Sequence, residues 1–265
     1  MIVGTSRRFT PRSLLYDFAT KTWQSGPYLV KNRQFFAATK YKSNILLCGG
    51  TDFEQDPGGE DLKDCEVTSP TSNLTDNTAR KKPGLELYHM PKVLASHALI
   101  TLANDIVLLI GGYIKNASTN LYCHVIRQKE IYQLDSSAKQ WIKIGHLKTG
   151  RSNFGIAIYK KGFVACGGFV GTKPKNKAPI RSCEYFELNT KKISSFSPLP
   201  EPKAAFSMIS VEGNLVAFGG IGLHGKQYAD VLMFDEKSMT WVNLAPLNKT
   251  RYAYSTVVFK DGKPI

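Results

Sequence analysis

A hydrophobic run ending in two adjacent glycines is written four times along the chain: NILLCGG at 44–50, DIVLLIGG at 105–112, GFVACGG at 162–168 and NLVAFGG at 214–220. The first glycines of the pairs, Gly49, Gly111, Gly167 and Gly219, are 62, 56 and 52 residues apart. A period of roughly 50 residues marks a chain assembled from repeated supersecondary units that stack to bury one core. Other positions keep step. A basic residue stands 16 positions before the first glycine in three units, as Arg33, Arg151 and Lys203. Arg251 would place a further glycine at 267, just past the last residue. An aromatic-acidic pattern with a Trp six residues after the acid also recurs: LLYDFATKTW (Asp17, Trp23), YQLDSSAKQW (Asp135, Trp141) and LMFDEKSMTW (Asp235, Trp241). In YFELNTKKI the acid is Glu187 and Ile193 takes the Trp position; GLELYHMP at 84–91 keeps only the ending.

Residues 151–200 show how one unit reads. FGIAIY is a first strand (a), KKG a tight turn, FVACGG a second strand (b) followed by a loop, CEYFEL a third (c), NTKK a turn and ISSFSPL a fourth (d). The apolar runs are short and bounded by Gly, Asn, Lys and Pro, as strands require. No segment sustains a 3.6-residue period. A four-stranded antiparallel meander of this length, repeated, is a propeller blade. The fold class expected is therefore all-β, a β-propeller in a single domain over 1–265. Its units fall at about 1–32 with 251–265, 33–94, 95–150, 151–202 and 203–250. The pairs Gly49–Gly50, Gly111–Gly112, Gly167–Gly168 and Gly219–Gly220 end strand b and permit close backbone approach. Trp23, Trp141 and Trp241 are apolar wedges between neighbouring blades. These residues are structural.

The strand-Gly-Gly signature, the Tyr or Phe near an Asp or Glu, and the Trp six residues on resemble the kelch-repeat family over nearly the whole chain. The resemblance implies a kelch-type β-propeller. Two features depart from it. The unit after Gly50 carries a long insertion and no Trp. The ends split a unit: MIVGTSRR begins inside a strand b, with Gly4 at the first-glycine position and Thr5 replacing the second, and RYAYSTVVFKDGKPI ends before its own Gly-Gly. Either the C-terminal strand a joins the N-terminal strands b, c and d to close a five-unit ring, or the chain is a segment of a larger propeller.

Composition narrows the class. A net charge of +14 fits attraction to acidic proteins, nucleic acid or anionic surfaces, and fits plain solubility as well. No apolar stretch reaches the roughly 18 residues of a membrane helix, so no membrane insertion is expected. MIVGTSRRFTPRS lacks the apolar core of a signal peptide. The five cysteines include no CxxC pair and are expected as small buried hydrophobes in a reducing cytosol. An intracellular monomer is the expectation, cytoplasmic or alternatively nuclear. On the same ground the sequons at Asn73, Asn116 and Asn248 read as chance.

Meander geometry places the a–b and c–d turns on one side and the b–c and d–a loops on the other. The turns are tight and the b–c loops long, and long loops on a rigid scaffold are where function concentrates. The d–a residues Arg33, Arg151, Lys203 and Arg251 fall on that side. FVGTKPKNKAPIRS adds Lys173, Lys175, Lys177 and Arg181 without an acid, and YIKNASTNLYCHVIRQK adds Lys115, Arg127 and Lys129. TDFEQDPGGEDLKDCE is acidic instead. The candidate partner-facing set is Arg33, Arg151, Lys203, Arg251, Tyr113, Phe169, Lys173, Lys175, Lys177, Arg181 and His97. It suits an acidic peptide or protein surface through charge-assisted contacts. For the d–a arginines a second reading stands beside the first: each fixes a loop by bonding backbone carbonyls.

Enzymes of related fold set the alternative. A copper radical oxidase needs a Tyr joined to a Cys, a second Tyr and two His. Tyr122, Cys123 and His124 are adjacent here, but neighbours on a strand point to opposite faces. No residues carry a mutarotase site specifically, and no phosphate loop, nucleophile elbow or metal cluster appears. No catalytic residue, metal or cofactor is assigned. A basic nucleic-acid-binding propeller, with Tyr113 and Phe169 stacking bases, ranks below protein binding for want of a continuous basic track. The function expected is a non-catalytic protein-interaction module. By the resemblance, ubiquitin-ligase substrate recognition and scaffold or cytoskeletal binding are its commonest forms.

Overall fold

The computed structural model describes residues 2–3, 12–17, 20–52, 59–69, 87–115, 124–172, 176–253, 259–260 and 263–264. They divide into two compact units, one of 1–108 with 133–142 and one of 109–132 with 143–265. Apart from two short 3₁₀ turns, the regular structure of the described residues is strand. Four antiparallel sheets have four strands each in sequential order. They comprise Ala37–Tyr41, Asn44–Cys48, Asp64–Thr68 and Leu87–His89; Ala98–Thr101, Val107–Ile110, Glu130–Asp135 and Gln140–His146; Gly155–Tyr159, Gly162–Cys166, Cys183–Glu187 and Lys192–Phe196; and Ser207–Val211, Asn214–Ile221, Gln227–Asp235 and Thr240–Leu244. These are the a, b, c and d strands of four propeller blades, here blades 2 to 5.

The split blade expected from the two chain ends is not confirmed: the described residues there form a three-stranded N-terminal sheet and a separate C-terminal hairpin. Ile2–Val3, Arg12–Asp17 and Thr22–Tyr28 form one sheet in that order, and Phe259–Lys260 pairs with Lys263–Pro264 in a hairpin of its own. The expected fourth strand is not part of the N-terminal sheet among the described residues, and Gly4 and Thr5 lie outside them.

The repeat positions acquire physical roles. The a–b turns leave two residues between paired neighbours, as in Tyr159↔Gly162 and Val211↔Asn214. The acid of the aromatic-acidic pattern closes the c–d turn: Asp235 Oδ1 accepts from the Lys237 N–H at 3.1 Å and Asp135 Oδ1 from the Ser137 N–H at 3.0 Å. The Trp that follows lies across from the aromatic, as in Phe234↔Trp241. Trp241 is buried, and its Nε1–H donates to the Ser197 carbonyl of blade 4 at 3.0 Å, which joins adjacent blades through one side chain. Trp141 is buried as well, but Trp23 is 52% exposed. The expectation of a buried wedge therefore fails for Trp23, in the sheet that lacks its fourth strand. Between blades 4 and 5 the core is built by Tyr159, Val164, Leu199, Phe206, Met208, Leu215, Leu232, Phe234 and Trp241.

The glycine pairs are required by backbone. Gly49 and Gly50 have φ of +60° and +88°, in the left-handed region where side chains are disfavoured. A Cβ on Gly49 would sit 2.5 Å from the Leu94 carbonyl oxygen, and one on Gly168 would sit 2.7 Å from Phe154 Cβ. Both positions are closed to any side chain.

The cysteine expectation is corrected. Cys48 is bonded to Cys65 and Cys166 to Cys183. Each pair lies directly across strands b and c, in the registers Cys48↔Cys65 and Cys166↔Cys183, with Cα atoms 4.0 and 4.1 Å apart. Both separations in sequence are 17 residues, because the two cysteines hold fixed places in the repeat. Four of the five cysteines are thus not reduced hydrophobes. No helix among the described residues is long and apolar enough to cross a membrane.

Candidate functional site on the b–c and d–a loop side

Within blades 2, 4 and 5 the d–a and b–c segments are bridged to each other. The residue after each basic d–a position bridges the residue after each second glycine: Gln34↔Thr51, Ser152↔Phe169 and Ala204↔Ile221. Strands b and c then extend into small secondary hairpins, Tyr113–Lys115 with Val125–Arg127 and Phe169–Val170 with Ala178–Pro179. In blade 5 the two strands simply continue to Ile221 and Gln227.

The basic d–a residue of each of these blades lies buried beneath its own bridge. Arg33, Arg151 and Lys203 are at most 1% exposed. Arg151 donates from Nη1 to the carbonyls of Gly167 at 2.8 Å and Ser182 at 2.9 Å, and from Nη2 to Glu184 Oε1 at 2.5 Å. Glu184 in turn accepts from the backbone N–H groups of Lys148 at 2.6 Å and Thr149 at 3.3 Å. Arg33 repeats the pattern. Its Nη1 donates to the Gly49 and Asp64 carbonyls, each at 3.0 Å, its Nε to Glu66 Oε1 at 2.7 Å, and its Nη2 to Asp64 Oδ2. Glu66 Oε2 accepts from the Val30 N–H at 2.7 Å. Lys203 Nζ is 2.6 Å from Asp230 Oδ2 and 2.8 Å from Oδ1. The arginines therefore satisfy the carbonyls at the glycine pair while a strand-c glutamate holds the incoming d–a loop. This is the loop-fixing reading of these residues, and burial leaves their charged heads no free face for a partner.

Burial dominates the electrostatics here. It pushes the pKa of Arg151 down although Glu184 opposes it, and that of Lys203 down although Asp230 opposes it. Burial would raise the pKa of Asp64, but Arg33 and Lys31 hold it below the usual carboxylate value. Buried charges need partners, and the repeat respects this in sequence. Where blade 3 places Ala95 at the arginine position, it places Gln128, not Glu, at the position 17 after its first glycine. Cation and anion are lost together. The partner acids Asp64, Glu66, Glu184 and Asp230 were missed as site residues; Glu66 and Glu184, both 17 after the first glycine, carried the signal.

His97 is 7% exposed and packs at Gly49. Burial first, and the Arg33 charge second, lower its pKa to about 3, so the imidazole is neutral at physiological pH. It belongs to the interior of the loop side rather than to its surface. Arg251 and Arg181 are exposed. Lys173 and Lys175 lie outside the described residues, as do Tyr122 and Cys123. Tyr113 stands on the blade-3 hairpin, and Phe169 and Lys177 meet at the blade-4 hairpin. Lys177 Nζ stands 4.1 Å above the centre of the Phe169 ring, and Tyr113 lies opposite Arg127. Arg127 Nε donates to Ser152 Oγ at 3.2 Å.

No family model matches the chain. Kelch-like protein 40 of Xenopus laevis is 24% identical over 91% of the chain, and Kelch-like protein 41a of Danio rerio 21% over 89%. Kelch-like protein 35 of Mus musculus is 26% identical over 51% of the chain. The alignments cover 36%, 36% and 23% of those proteins, so the chain spans about a third or less of the curated relatives it matches. The solved structure of YjhT superposes with a TM-score of 0.70 at 14% identity, over 88% of this chain and 77% of YjhT. At that identity the likeness is one of fold.

Proposed function

Because the chain is a kelch-repeat β-propeller, we propose that it works as a non-catalytic protein-interaction module whose partner docks on the b–c and d–a loop side. One observation carries this reading. The blade-4 hairpin projects from a sheet whose d–a loop is locked by the buried Arg151–Glu184 pair, and the blade-3 hairpin is tied to it by the Val125 N–H bonded to the Thr172 carbonyl, so long, basic, aromatic-bearing segments are presented on a rigid base. The exposed cations Arg181, Arg251 and Lys177 favour an acidic peptide or protein surface. Recognition of ubiquitin-ligase substrates or attachment to a scaffold would be the task of such a module.

An intracellular site of action belongs to the same family-based reading. The two disulfides oppose it, because cytosolic thioredoxin and glutathione keep thiols reduced. The direct test of the interaction is cross-linking of the protein in its native cells, followed by capture and mapping of the cross-linked residues. Cross-links concentrated at Lys177 and at 124–129 support the reading. Cross-links concentrated on the a–b turns, at Lys160, Lys161 and Lys42, overturn it. Turnover of a small-molecule substrate that survives shortening of both hairpins would favour an enzyme.

A further inference from the structure

The two disulfides and the two buried arginines meet at the same residues of the same blades. In blade 2, Arg33 binds the carbonyl of Gly49, which follows Cys48, and the carbonyl of Asp64, which precedes Cys65. It also binds the carboxylate of Glu66, which follows Cys65. In blade 4, Arg151 binds Gly167, Ser182 and Glu184, which flank Cys166 and Cys183 in the same way. Each disulfide closes the b–c segment of its blade, 49–64 in one and 167–182 in the other. Among the described residues the buried arginines and glutamates are these four, Arg33, Glu66, Arg151 and Glu184. They occur in the two blades that carry a disulfide.

Blades 3 and 5 build the same junction without sulfur. The Gly111 N–H donates to the Glu130 carbonyl as Gly49 does to Asp64 and Gly167 to Ser182, so Ile110 and Ile131 stand at the cysteine positions of blade 3. Both are fully buried. Blade 5 sets Phe218 opposite Val231. An apolar pair therefore holds strands b and c together at this point, and the disulfides of blades 2 and 4 add a covalent constraint that the fold does not need. The sulfurs are also out of reach. Cys48, Cys65 and Cys166 are 0% exposed and Cys183 is 3% exposed. Thiol–disulfide exchange requires a thiolate to reach one sulfur, so its rate depends on access. The arginine holds the residues on either side of the bond, and neither strand lifts away from the sulfurs while those contacts persist.

We propose that each disulfide is a redox clamp on its b–c loop, and that the buried arginine of the same blade gates its reduction. Disulfides of intracellular proteins are mostly transient and redox-sensing, and a clamp that the fold can do without suits that use. Reduction runs by exchange with a dithiol. One thiolate of the reductant attacks one cysteine sulfur and displaces the other as a thiolate, and the second thiolate of the reductant then displaces the first cysteine. The cysteines take up two protons and the reductant leaves as its own disulfide. Hydrogen peroxide reverses the change: it takes two electrons and two protons from the thiol pair and leaves as two waters. The gate does not depend on what docks on the loop side. Where the interaction-module reading holds, the clamp sets how firmly the loops of blades 2 and 4 are presented.

The test follows each disulfide separately in the full chain. Oxidised protein is exposed to dithiothreitol under native conditions, free thiols are alkylated at intervals, and the labelled peptides are quantified by mass spectrometry. In the wild type both bonds are reduced about tenfold or more slowly than in urea-unfolded protein. Arg151→Met speeds reduction of Cys166–Cys183 about tenfold or more and changes that of Cys48–Cys65 by less than about twofold. Arg33→Met does the reverse. Arg33→Lys and Arg151→Lys keep the charge beside the carboxylate but lose the fork that reaches the carbonyls. They show the same pattern to a smaller degree and serve where a Met variant does not fold. Equal acceleration of both bonds in either variant would mean that global unfolding exposes them, and would overturn the gate. So would reduction rates that no substitution changes. The reduced wild type keeps a cooperative urea transition and shows faster amide exchange at 176–182 than the oxidised protein. Loss of the transition on reduction would make the bonds a requirement of the fold, and unchanged exchange would leave them without a hold on the loop; either result overturns the clamp.

Discussion

Replacing Arg151 with Met tests whether the d–a arginines are scaffold. The side chain is fully buried and ends 2.5 Å from Glu184, itself 3% exposed. Met fills much of the volume but strands a carboxylate in the interior and leaves the Gly167 and Ser182 carbonyls without their donor. Breaking a buried ion pair from one side costs about 3–5 kcal/mol. For a domain of this size that corresponds to a fall in Tm of roughly 6–20 °C. The double variant Arg151→Met/Glu184→Gln removes the stranded charge and copies the neutral state blade 3 already uses at Ala95 and Gln128. It should recover about half or more of the loss, because replacing both members of a buried pair is close to neutral. Chemical denaturation by urea, followed by tryptophan fluorescence, reads both values. A loss below about 1 kcal/mol for Arg151→Met, or a double variant no more stable than the single one, would refute the reasoning.

Lys203→Met should cost less than Arg151→Met, about 1–2 kcal/mol in the same assay, because Asp230 is 31% exposed and can regain water. Alkylation of the native protein, denatured without reductant, should label Cys123 and spare the four paired cysteines; labelling of all five would show that the disulfides are absent in the cell. His97 has a folded pKa of about 3 and an ordinary unfolded one of 6.5, so the unfolded chain takes up its proton first and stability falls as pH drops below about 6.5. His97→Gln should remove this fall, about 1.4 kcal/mol of stability for each pH unit between pH 6.5 and pH 4, and so flatten the pH dependence of Tm measured by calorimetry. Gly168→Ala meets Phe154 Cβ at 2.7 Å with φ at +91°, and urea denaturation should show a loss of about 2–4 kcal/mol.

The blades were legible because the repeat fixes them. Four copies of a strand ending in Gly-Gly, kept in phase with an acid and a Trp, leave little choice beyond a meander, and four antiparallel four-stranded sheets form. What failed is what depends on partners across strands. Cys48 and Cys166 were visible as equivalent positions, yet their bonds needed the register that sets Cys65 and Cys183 opposite them. Trp23 obeyed the motif yet stays 52% exposed. Arg33 and Arg151 carry positive charge in loops, and charge in a loop suggests a surface. Only the glutamates 17 residues past each glycine disclose that the charge is turned inward. Conversely, Arg127 stood in the sequence among several equivalent loop cations, and only the coordinates show that its Nη1 is shielded from water without a hydrogen-bond partner among the described residues.

The measurement that bears most directly on the account is hydrogen–deuterium exchange of the full chain with and without its native partner. The account predicts protection at 124–129 and 176–181, the hairpin arms of blades 3 and 4, with the a–b turns at 160–162 and 212–214 unchanged. Protection confined to the a–b and c–d turns, with the hairpins exchanging as before, would contradict it.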